Sequence, residues 1–174
     1  MKTQEVAQAL SRIAHEILEH HGDAEGLVVV GLATGGAHLA KRLADLVNDL
    51  EGIRPPCGTL DVTFYRDDFR TRAKPPAIAT DITFSIDDRD VLLVDDVFYT
   101  GRTTRAALNA LMEYGRARTV QLAVLIDRGH RELPINPDYV GRKVATKYDD
   151  EVKVLLKESD SEDLVTVEEV QQER

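Results

Sequence analysis

Residues 91–108 read VLLVDDVFYTGRTTRAAL, an apolar run followed by two acids, a glycine-bearing turn and a helical pattern. The apolar run at 91–94 predicts a buried strand, because the strands of a parallel sheet are covered on both faces. Residues 95–102 then predict a turn, and residues 103–114 predict a helix. We therefore expect a ligand site at the carboxyl end of the strand, where the turn opens the helix.

This turn has the composition of a loop that binds a sugar phosphate. Gly101 permits a close approach of the backbone to a ligand, and the free N–H groups at a helix N-terminus suit a phosphate. Asp95 and Asp96 supply acceptors for adjacent sugar hydroxyls. The alternative is that an acid and the threonines only cap the helix. The residues predicted to bind a ribose 5-phosphate are Asp95, Asp96, Val97, Tyr99, Thr100, Gly101, Arg102, Thr103 and Thr104.

The composition is that of a globular protein. The chain has 174 residues, 43% of them hydrophobic and 30% charged, and its formal net charge of −9 disfavours diffuse binding of nucleic acid. A single cysteine, Cys57, excludes an intrachain disulfide and a multi-cysteine metal site. No apolar run approaches the ~20 residues that cross a bilayer, and the N-terminus lacks a signal-peptide pattern. We expect a cytoplasmic protein with no membrane partner.

Strand and helix patterns alternate along the rest of the chain. Apolar periodicity predicts helices over residues 3–20 and 37–50 and strands over residues 27–32, 58–65 and 119–126. This alternation implies a mostly parallel sheet with helices on its faces. Two short strand-like runs at 152–156 and 164–167 predict a C-terminal β-hairpin. The expected architecture is an α/β fold with a single domain over residues 1–174.

A second loop also has the features of an anion site. Ala33, Thr34, Gly35 and Gly36 follow a buried strand and open a helix, which suits the loop to bind pyrophosphate. An ordinary strand-to-helix turn is the alternative.

Several stretches carry a family resemblance. The central stretch is similar to the motif with which type I phosphoribosyltransferases bind phosphoribosyl pyrophosphate (PRPP). SRIAHE at 11–16, LDVTFYRDD at 60–68, DDVFYTGRT at 95–103 and DRGHRELPI at 127–135 resemble the PyrR family. Its members are bifunctional pyrimidine-operon attenuators and uracil phosphoribosyltransferases. The resemblance runs from about residue 4 to 168, and the stretch at 127–135 discriminates best against purine and orotate transferases.

The resemblance implies a reaction in which uracil and PRPP give UMP and pyrophosphate. It implies that Asp95 and Asp96 bind the ribose 2- and 3-hydroxyls and that Arg66 lies near the pyrophosphate. Mg²⁺ is expected to bind mainly through PRPP oxygens and waters, so no metal site made only of protein ligands is predicted. Asp127 and Arg128, at the end of a predicted strand, are expected on the uracil side, although Asp127 equally suits a turn cap.

The resemblance also implies a type I phosphoribosyltransferase fold. Its sheet carries a flexible lid loop at about 66–80, and a small hood and C-terminal segment at about 127–168. The basic residues of the loop equally suit an ordinary solvated loop. A homo-oligomer, dimer or higher, is implied as well.

A second activity, UMP-dependent binding of pyrimidine-operon leader mRNA, follows from the resemblance. The positions that match the family's RNA contacts are Ser11, His15, Arg131 and Arg142. Departures from the family's sequence pattern affect catalysis and RNA binding differently. Gly35 replaces an arginine of the pyrophosphate loop, whereas Asn136 and the acidic stretch at 149–151 weaken a basic RNA surface.

Alternatives to this bifunctional interpretation stay open. One is a regulator that keeps the nucleotide site as a sensor and whose catalysis is vestigial. The other is a phosphoribosyltransferase for another base, without an RNA role.

Overall fold

The computed structural model describes residues 1–65 and 79–169 of the chain. A five-stranded parallel sheet has the order β2-β1-β3-β4-β5, and a two-stranded antiparallel hairpin, β6-β7, lies near the C-terminus. In chain order the elements are α1 Thr3–His21, β1 Leu27–Leu32, α2 Gly35–Glu51, β2 Cys57–Leu60, β3 Asp90–Phe98, α3 Arg102–Leu111, β4 Thr119–Asp127, β5 Tyr139–Lys143, β6 Glu151–Leu155 and β7 Leu164–Glu168.

The sheet is covered on both faces, as its continuous apolar strands predict. Adjacent residues of β1 enter different cores: Val29 packs with the residues of α1 and α2, whereas Val30 packs with those of α3. Leu92 and Leu93 of β3 divide in the same way. Each fully buried aliphatic side chain contributes about 1.5–3 kcal/mol of transfer free energy. The predicted parallel α/β fold and the C-terminal hairpin are both confirmed.

The central strand is longer than the sequence predicted. The turn expected at 95–102 begins only after Phe98, because β3 keeps its pairing with β4 as far as Phe98 opposite Asp127. Asp95 and Asp96 therefore lie within the last residues of the strand rather than beyond it. The rigid ladder, and not a loop, sets their backbone positions.

Other boundaries also differ from the expectations. The strand predicted over 58–65 ends at Leu60, because the Asp61 carboxylate accepts the Thr63 N–H at 2.8 Å and turns the chain into a short 3₁₀ turn, Thr63–Tyr65. The first residue of α2 is Gly35 rather than residue 37. The helix predicted to reach residue 114 ends at Leu111, since the N–H groups of Glu113 and Tyr114 bond carbonyls three residues back.

One strand was missed. Tyr139–Lys143 forms β5, the fifth strand of the sheet, beside β4. β5 is an edge strand of the sheet, and Tyr139 is its only buried residue. Arg12 of α1 donates to the carbonyls of Val140 and Gly141 at 3.0 and 2.6 Å. An edge strand with so little burial lacks the apolar run on which the sequence prediction depended.

Candidate active site

Three loops meet at the carboxyl edge of the sheet. The loop after β1 holds residues 33–36, the loop after β3 holds residues 99–101, and the segment after β4 starts at Arg128. Because β1, β3 and β4 are adjacent and parallel, their carboxyl ends lie side by side. The edge of the sheet thus brings together the loops that the sequence proposed for phosphate, pyrophosphate and base.

Asp95 and Asp96 are half-buried at the end of β3. The Asp95 carboxylate accepts the N–H of Asp96 at 2.9 Å, and the Asp96 carboxylate accepts the N–H of Val97 at 2.8 Å. In each case the hydrogen bond from the next backbone N–H to one oxygen orients the carboxylate. A carboxylate has several lone pairs, so it is able to accept from a ligand as well. This arrangement fits a pair of acceptors for vicinal hydroxyls.

The loop at 33–36 packs directly against these acids. A Cβ atom at Gly35 would lie 2.9 Å from the Asp96 Cγ and overlap its carboxylate oxygen, and a Cβ at Gly36 would lie 3.0 Å from the Asp95 Cα. Gly36 is buried, Ala33 is half-buried and Thr34 is exposed. The peptide between Ala33 and Thr34 is cis. The glycines allow the backbone of this loop to touch the acidic pair.

The loop between β3 and α3 turns at Gly101, which has a φ of 90° and so the left-handed conformation that glycine tolerates best. The first intrahelical bond runs from the Arg105 N–H to the Gly101 carbonyl at 2.9 Å. The preceding N–H groups of a helix have no intrahelical acceptor and point at an anion site. Val97, Tyr99, Thr100, Arg102 and Thr103 are half-buried, whereas Thr104 is buried at 4% exposure.

The segment after β4 is fixed by its own side chains. The Asp127 carboxylate accepts the Gly129 N–H at 2.9 Å and pairs with Arg131 at 3.1 Å, so it does act as a turn cap. Arg128 is 7% exposed, and its guanidinium donates to the carbonyls of Lys147 and Tyr148. The side chains of Asp127 and Arg128 therefore hold the backbone of this segment in place. A groove of about 580 Å³ is lined by Asp127, Arg128, Gly129, His130, Arg131, Lys143, Val144, Ala145 and Thr146.

An aromatic cluster that sequence reasoning missed lies at residues 99–101, the loop proposed from the sequence to bind phosphate and called the phosphate loop below. Arg128 lies 4.1 Å from the centre of the Tyr99 ring, and the rings of Tyr99, His130 and Tyr148 are 5.5–5.9 Å apart. Cation–π and edge-to-face geometry stabilise such a group. The Glu132 N–H donates to the Thr100 carbonyl at 3.0 Å. The hood segment is therefore attached to the loop by its backbone.

The candidate RNA residues are divided between two places. Ser11 and His15 share one face of α1, and the His15 ring bonds the Ser11 carbonyl at 2.7 Å. Arg142 lies beside α1 and pairs with Glu5 at 2.9 Å, whereas Arg131 pairs with Asp127 beyond β4. The hydrogen bond from the backbone N–H of Lys2, followed by that from Arg142, holds the pKa of Glu5 below its usual range. Both candidate arginines thus carry a carboxylate partner in this structure.

Arg66 and nearly all of the predicted lid lie outside the described residues. Within residues 1–65 and 79–169, the side chains form no cluster of three or more histidine, cysteine or carboxylate groups able to hold a metal ion. In the same part of the chain, no helix combines the length and the apolar character needed to cross a membrane.

Comparison with known proteins agrees with this geometry. The model of the phosphoribosyl transferase domain matches residues 1–159. A bifunctional protein PyrR from Syntrophobacter fumaroxidans is 51% identical over 175 residues, covering 100% of this chain and 94% of the relative. A bifunctional protein PyrR from Deinococcus radiodurans is 52% identical over 166 residues, covering 95% of this chain and 91% of the relative.

Solved structures share the fold at lower identity. A hypoxanthine phosphoribosyltransferase from Staphylococcus aureus has a TM-score of 0.65 and 20% identity, covering 83% of this chain and 76% of the other. A purine phosphoribosyltransferase from Pyrococcus horikoshii has a TM-score of 0.62 and 23% identity, covering 83% and 86% of the two chains. These likenesses show the fold alone. The domain match and the nearly full-length relatives establish that the chain belongs to the phosphoribosyl transferase domain family and, within it, to the bifunctional PyrR proteins.

Proposed function

We propose that this chain transfers the 5-phosphoribosyl group of PRPP to uracil, giving UMP and pyrophosphate. The observation that carries the proposal is the pair Asp95 and Asp96 at the end of β3, followed within a few residues by the Gly101 turn and the N-terminus of α3. Two acceptors for the ribose hydroxyls beside a loop suited to a phosphate match the ribose 5-phosphate that PRPP and UMP share. Membership of the PyrR proteins supports uracil as the base.

The acids and the loop divide the work of holding the sugar. Asp95 and Asp96 accept hydrogen bonds from the ribose hydroxyls, and Val97, Tyr99, Thr100, Gly101, Arg102, Thr103 and Thr104 surround the 5-phosphate. Departure of pyrophosphate leaves oxocarbenium character on the sugar, as in glycosyl transfer generally. A sugar held rigidly at both ends reaches that state with less loss of entropy.

The pyrophosphate site is proposed at Ala33, Thr34, Gly35 and Gly36, where α2 begins. Backbone N–H groups and the positive end of the helix dipole favour an anion there. Arg66 is the proposed cationic partner of the leaving group. Because Gly35 carries no guanidinium, the backbone supplies most of the binding at this loop.

The residues at the site fit Mg²⁺ carried by the substrate. Carboxylates such as Asp95 and Asp96 suit a hard cation, but a dedicated cage of protein ligands is missing from the part of the chain that is described. PRPP oxygens and waters would supply most of the ligands of a bound Mg²⁺. When bound, the ion neutralises charge on the leaving pyrophosphate.

Uracil is proposed to lie beside Asp127 and Arg128. Their side chains hold the segment in place through the bonds to Gly129, Lys147 and Tyr148. Backbone groups at the edge of the groove then read the carbonyl–imide edge of the pyrimidine, and side-chain chemistry contributes little.

An initial-rate assay with PRPP and Mg²⁺ tests the enzyme proposal. Uracil, guanine, hypoxanthine and orotate are supplied separately, and UMP or the corresponding nucleotide is measured. Uracil is expected to be the preferred base. Turnover of a purine without turnover of uracil would contradict the proposal and favour a transferase for another base.

A regulatory role is the second candidate function, and the bifunctional relatives favour it. The proposed partner is the pyrimidine-operon leader mRNA, and binding is UMP-dependent. The contacting residues are Ser11 and His15 on α1 together with Arg131 and Arg142. A gel shift with the leader RNA at low salt, with and without UMP, tests this role. Absence of any UMP-dependent shift would contradict the regulatory role, and the enzymatic activity would stand as the proposed function.

Self-association and a cytoplasmic location are proposed as well. Met112 is 75% exposed and, with Val120, borders an apolar pocket of about 320 Å³, which supports a homo-oligomer. Sedimentation equilibrium tests that proposal, and a monomer at micromolar concentration would contradict it. Cell fractionation tests the location, since recovery in the membrane fraction would contradict it.

A further inference from the structure

Arg102, Glu132 and Tyr148 form a chain of side chains next to the phosphate loop. The Arg102 Nε atom donates to one Glu132 carboxylate oxygen at 2.7 Å, and the Tyr148 hydroxyl donates to the other at 2.9 Å. Arg102 is the first residue of α3, within the proposed 5-phosphate site. Both oxygens of Glu132 therefore accept a hydrogen bond, and one of the two donors, Arg102, belongs to the proposed 5-phosphate site.

Tyr148 is well placed to keep Glu132 in this position. Its ring lies 5.5 Å from that of Tyr99 and 5.7 Å from that of His130, and its carbonyl accepts hydrogen bonds from the Tyr99 hydroxyl and from Arg128. The hydrogen bonds to Glu132 and Tyr99 raise the pKa of Tyr148 to about 12. The hydroxyl thus remains a protonated donor throughout the neutral pH range.

A nucleotide phosphate and Glu132 would compete for the same cation. A phosphate presents a dianion to a guanidinium and permits bidentate bonds. The same dianion repels the Glu132 carboxylate, because like charges at close range disfavour each other. The Arg102–Glu132 pair is about one-third exposed, at 40% and 32%, so its strength is modest and a ligand is able to displace it.

We propose that Glu132 is a positioning residue that competes with the nucleotide 5-phosphate for Arg102, and that Tyr148 holds it there. This inference rests on the proposed ribose 5-phosphate site. Phosphate binding breaks the Arg102–Glu132 contact, and the contact lowers the affinity for phosphate by the same factor, since linkage is reciprocal.

Titration of UMP and of uridine into Glu132→Gln and Tyr148→Phe variants tests the competition. Glu132→Gln is expected to bind UMP roughly two- to fivefold more tightly, the range of a partly exposed ion pair, with unchanged uridine affinity. Tyr148→Phe keeps the ring and the net charge, so it is expected to shift UMP affinity in the same direction by a smaller factor. Glu169→Gln is the charge control: it removes an exposed carboxylate paired with Lys147 and is expected to change neither affinity.

The double variant separates positioning from a general structural effect. If Tyr148 acts through Glu132, adding Tyr148→Phe to Glu132→Gln produces no further change in UMP affinity. Additive effects, or an unchanged ratio of UMP to uridine affinity in Glu132→Gln, would overturn the inference while leaving the proposed function intact. Absence of UMP binding by the wild-type chain would overturn both.

Discussion

Gly35 and Gly36 are neighbours with different surroundings, and the difference separates function from stability. A side chain at Gly35 would meet only the side chain of Asp96, its carboxyl group and its Cβ atom, so Asp96 would have to shift. A side chain at Gly36 would meet the backbone of Val94 and Asp95 in the central strand, which is unable to move without breaking the sheet. A substitution at Gly35 is therefore expected to change the orientation of Asp96, a proposed ribose-binding residue, whereas one at Gly36 is expected to destabilise the fold.

Gly35→Ala is predicted to fold normally and to lose activity. Displacement of Asp96 removes a charge-assisted hydrogen bond to the sugar, about 1.5–3 kcal/mol, so kcat/KM for PRPP falls by at least about tenfold. Gly36→Ala is predicted to cost about 1–3 kcal/mol of unfolding free energy through overpacking. Urea unfolding and initial rates of both variants check this. Equal stability losses in the two variants would contradict it.

The C-terminal hairpin depends on one arginine of α2. Arg42 makes a bidentate pair with Asp163 at 2.7 and 2.8 Å and contacts Glu158 as well, with only 16% of its side chain exposed. The Arg42 guanidinium holds the pKa of both Asp163 and Glu158 below their usual range. Asp163 also accepts the Lys157 N–H at 2.9 Å, so the clamp orders the turn between β6 and β7.

Replacing Arg42 by Met is predicted to lower the unfolding free energy by about 2–3 kcal/mol, because two partly buried carboxylates lose their cation. Asp45→Asn provides a matched control. Asp45 pairs with Arg54 at the surface, where the two side chains are 62% and 45% exposed, so the expected loss is under about 1 kcal/mol. Urea unfolding at pH 7 measures both. If Arg42→Met is as stable as Asp45→Asn, apolar packing alone holds the hairpin in place.

The limits of sequence reasoning are visible in particular elements. Val91–Val94 and Leu27–Leu32 were readable because buried parallel strands are uniformly apolar. The Gly101 turn was readable because an acidic pair, a glycine and several threonines stand between a predicted strand and a predicted helix. β5 was not readable, since it is an edge strand in which only Tyr139 is buried and so has no apolar run. Nor was the contact of Tyr148 with Glu132, because a long-range polar contact leaves no local pattern.

At the scale of the molecule, both apolar cores share one sheet, and we propose that residues 1–174 form a single domain. Asp90 joins three parts of this unit. It begins β3, pairs with Arg118, and accepts the Thr119 hydroxyl at 2.7 Å, while His21 at the end of α1 lies 3.5 Å away. The hydrogen bond from Arg118, reinforced by that from Thr119, lowers the pKa of Asp90 to about 2.

Acid is therefore predicted to weaken the fold through Asp90. Because the pKa of this group is lower in the folded state, its contribution is complete above about pH 4 and is lost as the pH falls toward 2. The contribution is about 1–2 kcal/mol, allowing for solvent at the exposed Arg118. Unfolding of wild type and Asp90→Asn between pH 6 and pH 2 checks this. The stability gap between them should shrink below pH 4, and a constant gap would contradict the assignment.

Binding of UMP, uridine and 2′-deoxy-UMP, measured by titration calorimetry, tests the ribose 5-phosphate site most directly. UMP is expected to bind at least about tenfold more tightly than uridine, because uridine lacks the phosphate. The same factor is expected between UMP and 2′-deoxy-UMP, because the deoxynucleotide lacks one hydroxyl of the diol. Asp96→Asn should narrow the gap between UMP and 2′-deoxy-UMP and leave the gap between UMP and uridine. Equal affinity of the wild-type chain for the three ligands would contradict the site at Asp95–Thr104.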